Sequence, residues 1–153
     1  IRRPPRSTHC ISSAASDVYK RQRLDRFHNK PKERVKSSKK VYVLDNGFMQ
    51  ISPSHSKNLG NALENWVFTI FNKKESELYY LKESKEIDFY SENILYQVAY
   101  IIDDTKTRKR EMEAFAVFNT VSTQCRLITF DSDEVLEDIE VQSVDNFIFS
   151  SME

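Results

Sequence analysis

Three polar side chains stand in apolar surroundings at a spacing that suits metal chemistry. They are Glu64 on a predicted helix, Asp88 on a predicted strand and Gln97 on the following strand. Oxygen atoms from such residues can hold Mg²⁺, because hard cations prefer oxygen ligands. A bound cation polarises a phosphate and lowers the pKa of a water, which is the chemistry of metal-dependent phosphodiester cleavage. The pattern therefore predicts the core of a metal-dependent nuclease.

The lysine that would complete such a core is missing from its expected place. Ala99 stands two residues after Gln97, where the ammonium group would be needed. Gln97 itself is neutral, so its attraction for a cation is weaker than that of a carboxylate. Lys82, Lys85 and Lys109 are the candidates for a relocated lysine. The sequence therefore favours a protein that is not an enzyme and needs no cofactor, with Mg²⁺ expected only if a relocated lysine restores activity.

Each candidate residue also has a purely structural interpretation. Glu64 fits a helix-edge carboxylate held by an N–H group or a lysine, Asp88 fits a turn, and Gln97 fits a buried amide that joins two elements. Arg110 and Glu111 fit a solvated first helical turn. The functional alternative is that Arg110 pairs with Asp88 or Glu64 and takes the place of a metal.

The spacing of apolar residues predicts the elements that must position these side chains. The clearest helix covers residues 58–73, where seven apolar residues recur at intervals of three and four. A second helix is predicted over 108–121, capped by Thr107. Strands are predicted over 41–44, 78–82, 85–90, 94–102, 126–130, 139–141 and 147–149, with an acidic loop over 131–138. This order predicts an α/β fold with a mixed central sheet flanked by helices.

Charge and periodicity divide the chain into three parts. Residues 1–22 lack periodicity and resemble translated sequencing-adapter DNA, so an artefactual or disordered segment is expected. Residues 23–40 are predicted to be a basic linker, and 41–153 the folded domain. Residues 1–40 hold 13 Lys or Arg against 3 Asp or Glu, whereas residues 41–153 hold 10 against 20. A basic arm that can attract DNA therefore precedes an acidic body that repels phosphate.

The composition limits the function classes further. The 153 residues include only two glycines, and no glycine-rich phosphate-binding loop motif is present. No apolar run approaches the roughly 20 residues of a membrane span. The two cysteines form no disulfide framework, so the cytoplasm is the expected compartment.

Several stretches of the chain together resemble a known family, the uncharacterised C-terminal domain of many bacterial and archaeal AAA-type ATPases. The matching stretches are residues 40–48, 58–65, 79–80, 85–89, 96–98 and 110–111. The resemblance extends from about residue 39 to the end of the chain.

The resemblance implies a restriction-endonuclease-like core of the PD-(D/E)XK type in a bacterial or archaeal protein. By its pattern Glu64, Asp88 and Gln97 take the acidic positions, and Ala99 takes the lysine position. It also implies that ATPase and winged-helix segments precede this domain in the full-length protein and are its partners. The leading hypothesis is a non-catalytic accessory domain that contacts protein or DNA, and the alternative is a divergent metal-dependent nuclease.

Overall fold

One mixed sheet with helices on both faces organises the protein. The computed structural model describes residues 21–47, 58–74, 77–136 and 138–152. Within these ranges eight strands form the sheet and four helices are present. The predicted α/β class with a mixed, helix-flanked sheet is confirmed, whereas the restriction-endonuclease-like core stays a prediction.

Along most of the chain, helices and strands follow one another in the order that the sequence periodicity predicts. The strands are β1 (Arg21–Arg26), β2 (Lys40–Val43), β3 (Tyr79–Lys82), β4 (Glu86–Ser91), β5 (Ile94–Val98), β6 (Gln124–Thr129), β7 (Glu134–Leu136) and β8 (Ile139–Ser143). The helices are α1 (Pro31–Lys36), α2 (Leu59–Lys73), α3 (Thr105–Val117) and α4 (Val144–Met152).

The sheet order is β2-β1-β3-β4-β5-β6-β8-β7. The pairs β1–β2, β3–β4, β4–β5 and β7–β8 are antiparallel, and β1–β3, β5–β6 and β6–β8 are parallel. Helix α3 connects the parallel strands β5 and β6, as a crossover between parallel neighbours requires. The central strands β4 and β5 therefore lie under helices on both sides.

Two hydrophobic cores lie on opposite faces of the sheet. Helices α2 and α4 cover one face, where the aromatic rings of Phe71, Tyr96 and Phe147 contact one another at centroid distances of 4.9–6.1 Å. Helix α3 covers the other face with Ala114 and Phe115. Because both faces are covered, a polar side chain on the central strands must find its partners inside the protein.

An irregularity in the β3–β4 pairing places Asp88 at a junction between these cores. The register shifts between Tyr79 and Leu81, so Ile87 packs in the α3 core while Phe89 packs in the α2 core. Regular alternation would have sent both residues to the same face. Such irregularities redirect side chains, and they are common beside functional sites.

The N-terminal part of the folded structure differs from the sequence prediction. Residues 1–20 lie outside the described residues, and 21–22, which the prediction assigns to an artefactual or disordered segment, form the start of β1. The prediction of a linker over 23–40 is wrong, because this stretch contains β1, α1 and the start of β2. High charge concealed these elements, since Leu24 is the one buried apolar side chain in β1. Backbone pairing with β2 and β3 holds β1 in the sheet, and the Arg34 guanidinium ties α1 to the Tyr79 hydroxyl.

The C-terminal part also differs from the prediction. Residues 147–149 belong to helix α4 and not to a strand, because Val144 and Phe147 bury one helical face. A short apolar run does not distinguish the two structures by periodicity. The predicted acidic loop over 131–138 contains strand β7. No helix among the described residues is long and apolar enough to cross a membrane.

The exact starts of helices and ends of strands also differ slightly from the sequence prediction. Asn58 caps α2, with its side-chain oxygen accepting from the Asn61 N–H at 3.1 Å. Asp104, and not Thr107, caps α3 by accepting from the Thr107 N–H. Trp66, predicted to face the core, is 40% exposed. Strand β5 ends at residue 98 and not 102, so Gln97 lies near its end.

Candidate functional site

The candidate site is a cluster of three carboxylates around one lysine. Lys40 Nζ lies 3.0 Å from Glu64 Oε1, 2.8 Å from Glu86 Oε1 and 2.8 Å from Asp88 Oδ1. An ammonium group has three N–H donors, and here each has a carboxylate partner. The Lys40 side chain is 19% exposed, and that of Asp88 is 11% exposed. The cluster is therefore shielded enough for its charges to interact strongly.

A second donor supports each carboxylate of the cluster. The Tyr42 hydroxyl donates to Glu64 Oε1 at 2.7 Å, and the Val98 N–H donates to Asp88 Oδ2 at 3.1 Å. Lys82 Nζ donates to Glu86 Oε2 at 2.8 Å. Partly buried charges are stable only when such hydrogen bonds accompany the ion pairs. The three carboxylates are therefore held in place from two sides.

Four elements bring the cluster together. Lys40 and Tyr42 lie on β2 with one intervening residue, so their side chains point to the same face of the sheet. Glu64 projects from α2, which packs on that face. Glu86 and Asp88 lie on β4. Strand β1 completes the arrangement, because it joins β2 to β3 and so sets the position of Lys40.

A second polar network begins on the opposite side of Asp88. Gln97 Oε1 accepts from the Asp88 N–H at 3.2 Å, and Gln97 Nε2 donates to Glu111 Oε2 at 2.8 Å. Glu111 on α3 is only 4% exposed, and its Oε1 accepts from the Arg110 guanidinium. The Gln97 amide therefore ties β4 to α3, which matches its structural interpretation.

Burial and charge together shift the pKa values of the cluster. Burial, reinforced by the Glu64 carboxylate, raises the pKa of Asp88 to about 7, although Lys40 acts in the opposite direction. Burial would lower the pKa of Lys40, but the Asp88 and Glu64 carboxylates outweigh it and raise the pKa above its ordinary range. Lys40 therefore stays protonated at neutral pH.

The partners of Glu64 and Glu86 have shifted pKa values as well. Burial and the Glu64 carboxylate raise the pKa of Tyr42, so the phenol remains a neutral donor. Burial acts to raise the pKa of Glu86, but hydrogen bonds from Lys40 and Lys82 outweigh it and lower the pKa. Glu86 is therefore ionised at neutral pH and available to the ammonium group.

A cleft of about 600 Å³ opens beside the cluster, between the N-terminal turns of α2 and α3. Most of the residues that the sequence singled out line it, whereas Lys82 and Lys109 do not: the lining includes Glu64, Lys85, Asp88, Gln97, Ala99, Arg110 and Glu111. The structure therefore brings these residues together, although only Glu64 and Asp88 touch the same cation.

The details of this arrangement differ from two sequence hypotheses. Arg110 contacts Glu111, and not Asp88 or Glu64. The proposed relocated lysines have other carboxylate partners. Lys82 pairs with Glu86 at 2.8 Å, whereas Lys85 and Lys109 pair with Glu113 at 3.1 and 4.0 Å.

Lys40 is the functional candidate that the sequence reasoning missed. The charge pattern places Lys40 at the end of the predicted linker, where a side chain has no defined direction. The sequence did contain a signal for Lys40. Lys40 and Tyr42 are two positions apart at the start of an apolar strand, so their side chains must lie on the same face. A lysine at the start of an interior-facing strand needs a carboxylate partner, and Glu64 and Asp88 were the known candidates.

The divalent cation that the family resemblance implies does not fit the cluster together with Lys40. The oxygens that would bind it each accept a hydrogen bond from the ammonium group, at 2.8–3.0 Å. Mg²⁺ requires ligands at about 2.1 Å in octahedral geometry. Within the described residues, no group of three Asp, Glu, His or Cys side chains is placed to hold a metal ion. In the folded structure, the ammonium group of Lys40 occupies the position between these carboxylates.

Fold and site together define an α/β protein with a mixed sheet and a lysine-centred carboxylate cluster at the junction of its two cores. A protein of Methanocaldococcus jannaschii named uncharacterized protein MJ1544 is 34% identical to the chain over 145 residues. The match covers 87% of this chain and 32% of that protein, so the chain spans about a third of the relative's length. No family model matches the chain. No solved structure matches it either.

Proposed function

We propose that this protein is a non-catalytic accessory domain with a nuclease-like core, which acts by contacting other parts of a larger cytoplasmic protein. One observation carries the proposal. Lys40 donates to three carboxylates at once, and these are the groups that would otherwise bind a catalytic cation. A site whose cation position is filled by the chain itself has no free oxygen cage for metal-assisted hydrolysis.

The surroundings of the cluster support the same conclusion. Both ends of the Gln97 amide are engaged, one by the Asp88 N–H and the other by Glu111. Ala99 is 6% exposed and packs in the α3 core, so it contributes no amine. The network joins β2, β4, β5, α2 and α3, which is the behaviour of a structural polar core.

The proposed partners are ATPase and winged-helix segments of the same full-length protein. The family resemblance suggests these segments. The archaeal relative is long enough to contain them, because the match covers only 32% of the relative's length. DNA is the second candidate partner. The acidic residues of 41–153 would oppose phosphate binding, so any DNA contact must use basic residues outside that range.

A cleavage assay tests the non-catalytic half of the proposal. The purified chain is incubated with supercoiled plasmid, linear DNA and RNA in the presence of Mg²⁺ or Mn²⁺. We expect no metal-dependent cleavage above that of Asp88→Ala purified in parallel, because the cation site is occupied. Circular dichroism confirms that the variant is folded.

The matched control for this assay is Asp138→Ala, which removes an exposed carboxylate in the β7–β8 turn. Cleavage by the parent chain and by Asp138→Ala, but not by Asp88→Ala, would overturn the proposal. Equal background in all three preparations would identify a contaminating nuclease and leave the domain without activity of its own.

The alternative function is a divergent metal-dependent nuclease, and one observation favours it. Lys40 places an amine within 3.0 Å of both Glu64 and Asp88, although it comes from a different strand than expected. This alternative predicts that Lys40→Met abolishes cleavage in the same assay. It requires the ammonium group to leave the carboxylates when a metal binds.

A further inference from the structure

The geometry around Lys40 defines a cation position and not only a set of ion pairs. Three oxygens from three separate residues converge on one atom, with distances that differ by only 0.2 Å. Two of the carboxylates, those of Glu86 and Asp88, lie on the same strand, and the third is brought by α2. With Lys40 removed, the three carboxyl groups would still converge on one partly shielded point.

We infer that the Lys40 ammonium is a built-in substitute for a divalent cation, so that the cluster is closed to metal ions while Lys40 is in place. This inference rests on the proposed function and deepens it by naming what occupies the cation position. The ammonium supplies one positive charge and three directed donors, which is the number of oxygens that need a partner.

Electrostatic interactions explain why the Lys40 ammonium stays between the carboxylates and keeps divalent cations out. A divalent cation could enter only by displacing Lys40 or by lying beside its positive charge, and both are costly in a shielded site. Removal of Lys40 reverses the balance, because the converging carboxyl oxygens lose their ammonium partner, and a divalent cation can then take that place by displacing the Asp88 proton. The oxygens would have to move inward by a few tenths of an ångström to bind Mn²⁺ or Ca²⁺, which bind oxygen at shorter distances.

Mn²⁺ binding by the full chain tests the inference through isothermal titration calorimetry and electron paramagnetic resonance near pH 7.5. We expect no saturable site in the parent chain and one site in Lys40→Met, with affinity higher by roughly tenfold or more. Adding Asp88→Asn to Lys40→Met should remove the new site. Lys82→Met is the matched control, since Lys82 also contacts Glu86 but lies outside the cation position.

Two results would overturn the inference. One is Mn²⁺ binding by Lys40→Met that is no tighter than binding by the parent chain or by Lys82→Met. The other is saturable binding of Mn²⁺ by the parent chain that Asp88→Asn removes. That second result together with absence of cleavage would end this inference and leave the proposed function standing, whereas cleavage by the parent chain would end the proposed function.

A measurement on the parent chain keeps the test decisive if Lys40→Met does not fold. Mn²⁺ broadens the nuclear magnetic resonance signals of nearby groups, and the Gln97 side-chain amide is hydrogen-bonded to the Asp88 backbone. We expect this amide signal to broaden no more than that of Gln124, which is exposed at the start of β6. Selective broadening of the Gln97 signal would show metal entering beside Lys40 and would contradict the inference.

Discussion

At the scale of single residues, Lys40 and Asp88 determine how the site behaves. Asp88 accepts hydrogen bonds from Lys40 Nζ and the Val98 N–H, yet burial and the Glu64 carboxylate still raise its pKa to about 7. The carboxyl group therefore changes its protonation near neutral pH, while Lys40 remains charged. The net charge of the cluster thus depends on pH in the physiological range.

This pKa shift predicts a pH-dependent stability. The folded chain holds the Asp88 proton up to about pH 7, whereas an unfolded Asp loses it near its ordinary value of 3.8. The folded state therefore binds more protons in this window, and the free energy of unfolding falls as pH rises, by at most about 1.4 kcal/mol per pH unit. Urea denaturation between pH 4.5 and 7.5 should show this slope, and Asp88→Asn should flatten it.

The other shifted groups of the cluster act in different pH windows. The lowered pKa of Glu86 makes stability fall only as pH drops below its ordinary value of 4.5. The raised pKa of Lys40 affects stability only above its ordinary value of 10.5. Asp138→Asn, at an exposed position, should keep the slope of the parent chain. Equal slopes in the parent chain and Asp88→Asn would show that another group titrates in this range.

At the scale of elements, β1 links the strand that carries Lys40 to the rest of the sheet. It pairs with β2 on one side and β3 on the other, and its Leu24 lies opposite Lys40 in the register. Leu24 is 3% exposed and packs in the α2 core with Tyr42. Strand β1 therefore connects the cation of the site to the hydrophobic core.

Leu24→Ala should cost about 2–5 kcal/mol of unfolding free energy, because it leaves a cavity beside the strand that carries Lys40. Val35→Ala is the matched control, since Val35 on α1 is 76% exposed and its loss should change stability little. Urea denaturation of both variants at one pH measures the difference. A linker over 23–40, as the charge pattern suggested, would make the two variants equally stable.

At the scale of the whole molecule, the protein is one sheet with a polar junction between two cores. The chain has no glycine-rich nucleotide loop, and it matches only 32% of the archaeal relative. If the chain is part of a longer ATPase, as proposed, the residues that hydrolyse ATP are expected in other segments of that protein. The proposed accessory role of the domain is therefore separate from the proposed ATPase activity.

The archaeal relative provides a test of this proposal. We expect the full-length relative to hydrolyse ATP, and the third that matches this chain to hydrolyse none when purified alone. A phosphate-release assay on the full protein, the matching third and the remainder measures both. Absence of ATP hydrolysis by the full-length relative would contradict the proposed ATPase partner, and hydrolysis by the matching third would contradict the division of roles.

The local pattern of the sequence determined most of the elements and the location of the cleft. Periodicity identified α2, which buries one regular apolar face, and short apolar or alternating runs identified the strands β3, β4 and β5. Isolated polar residues on such elements need partners inside the fold, and Glu64, Asp88 and Gln97 line one cleft, although the pocket without an amine that the sequence suggested contains the Lys40 ammonium. Residue types alone were enough to state the two chemical alternatives for that pocket, a metal site and a structural polar network.

Only the tertiary structure decided what fills the pocket. Lys40 is 24 residues from Glu64 and 48 from Asp88, and its position depends on the pairing of β2 with β1, whose charged sequence conceals its strand structure. The register shift in β4, which sends Ile87 and Phe89 to different cores, also depends on pairing with a distant strand. Contacts between distant segments leave no periodic pattern in either segment, so the ammonium at the centre of the carboxylates could be found only in three dimensions.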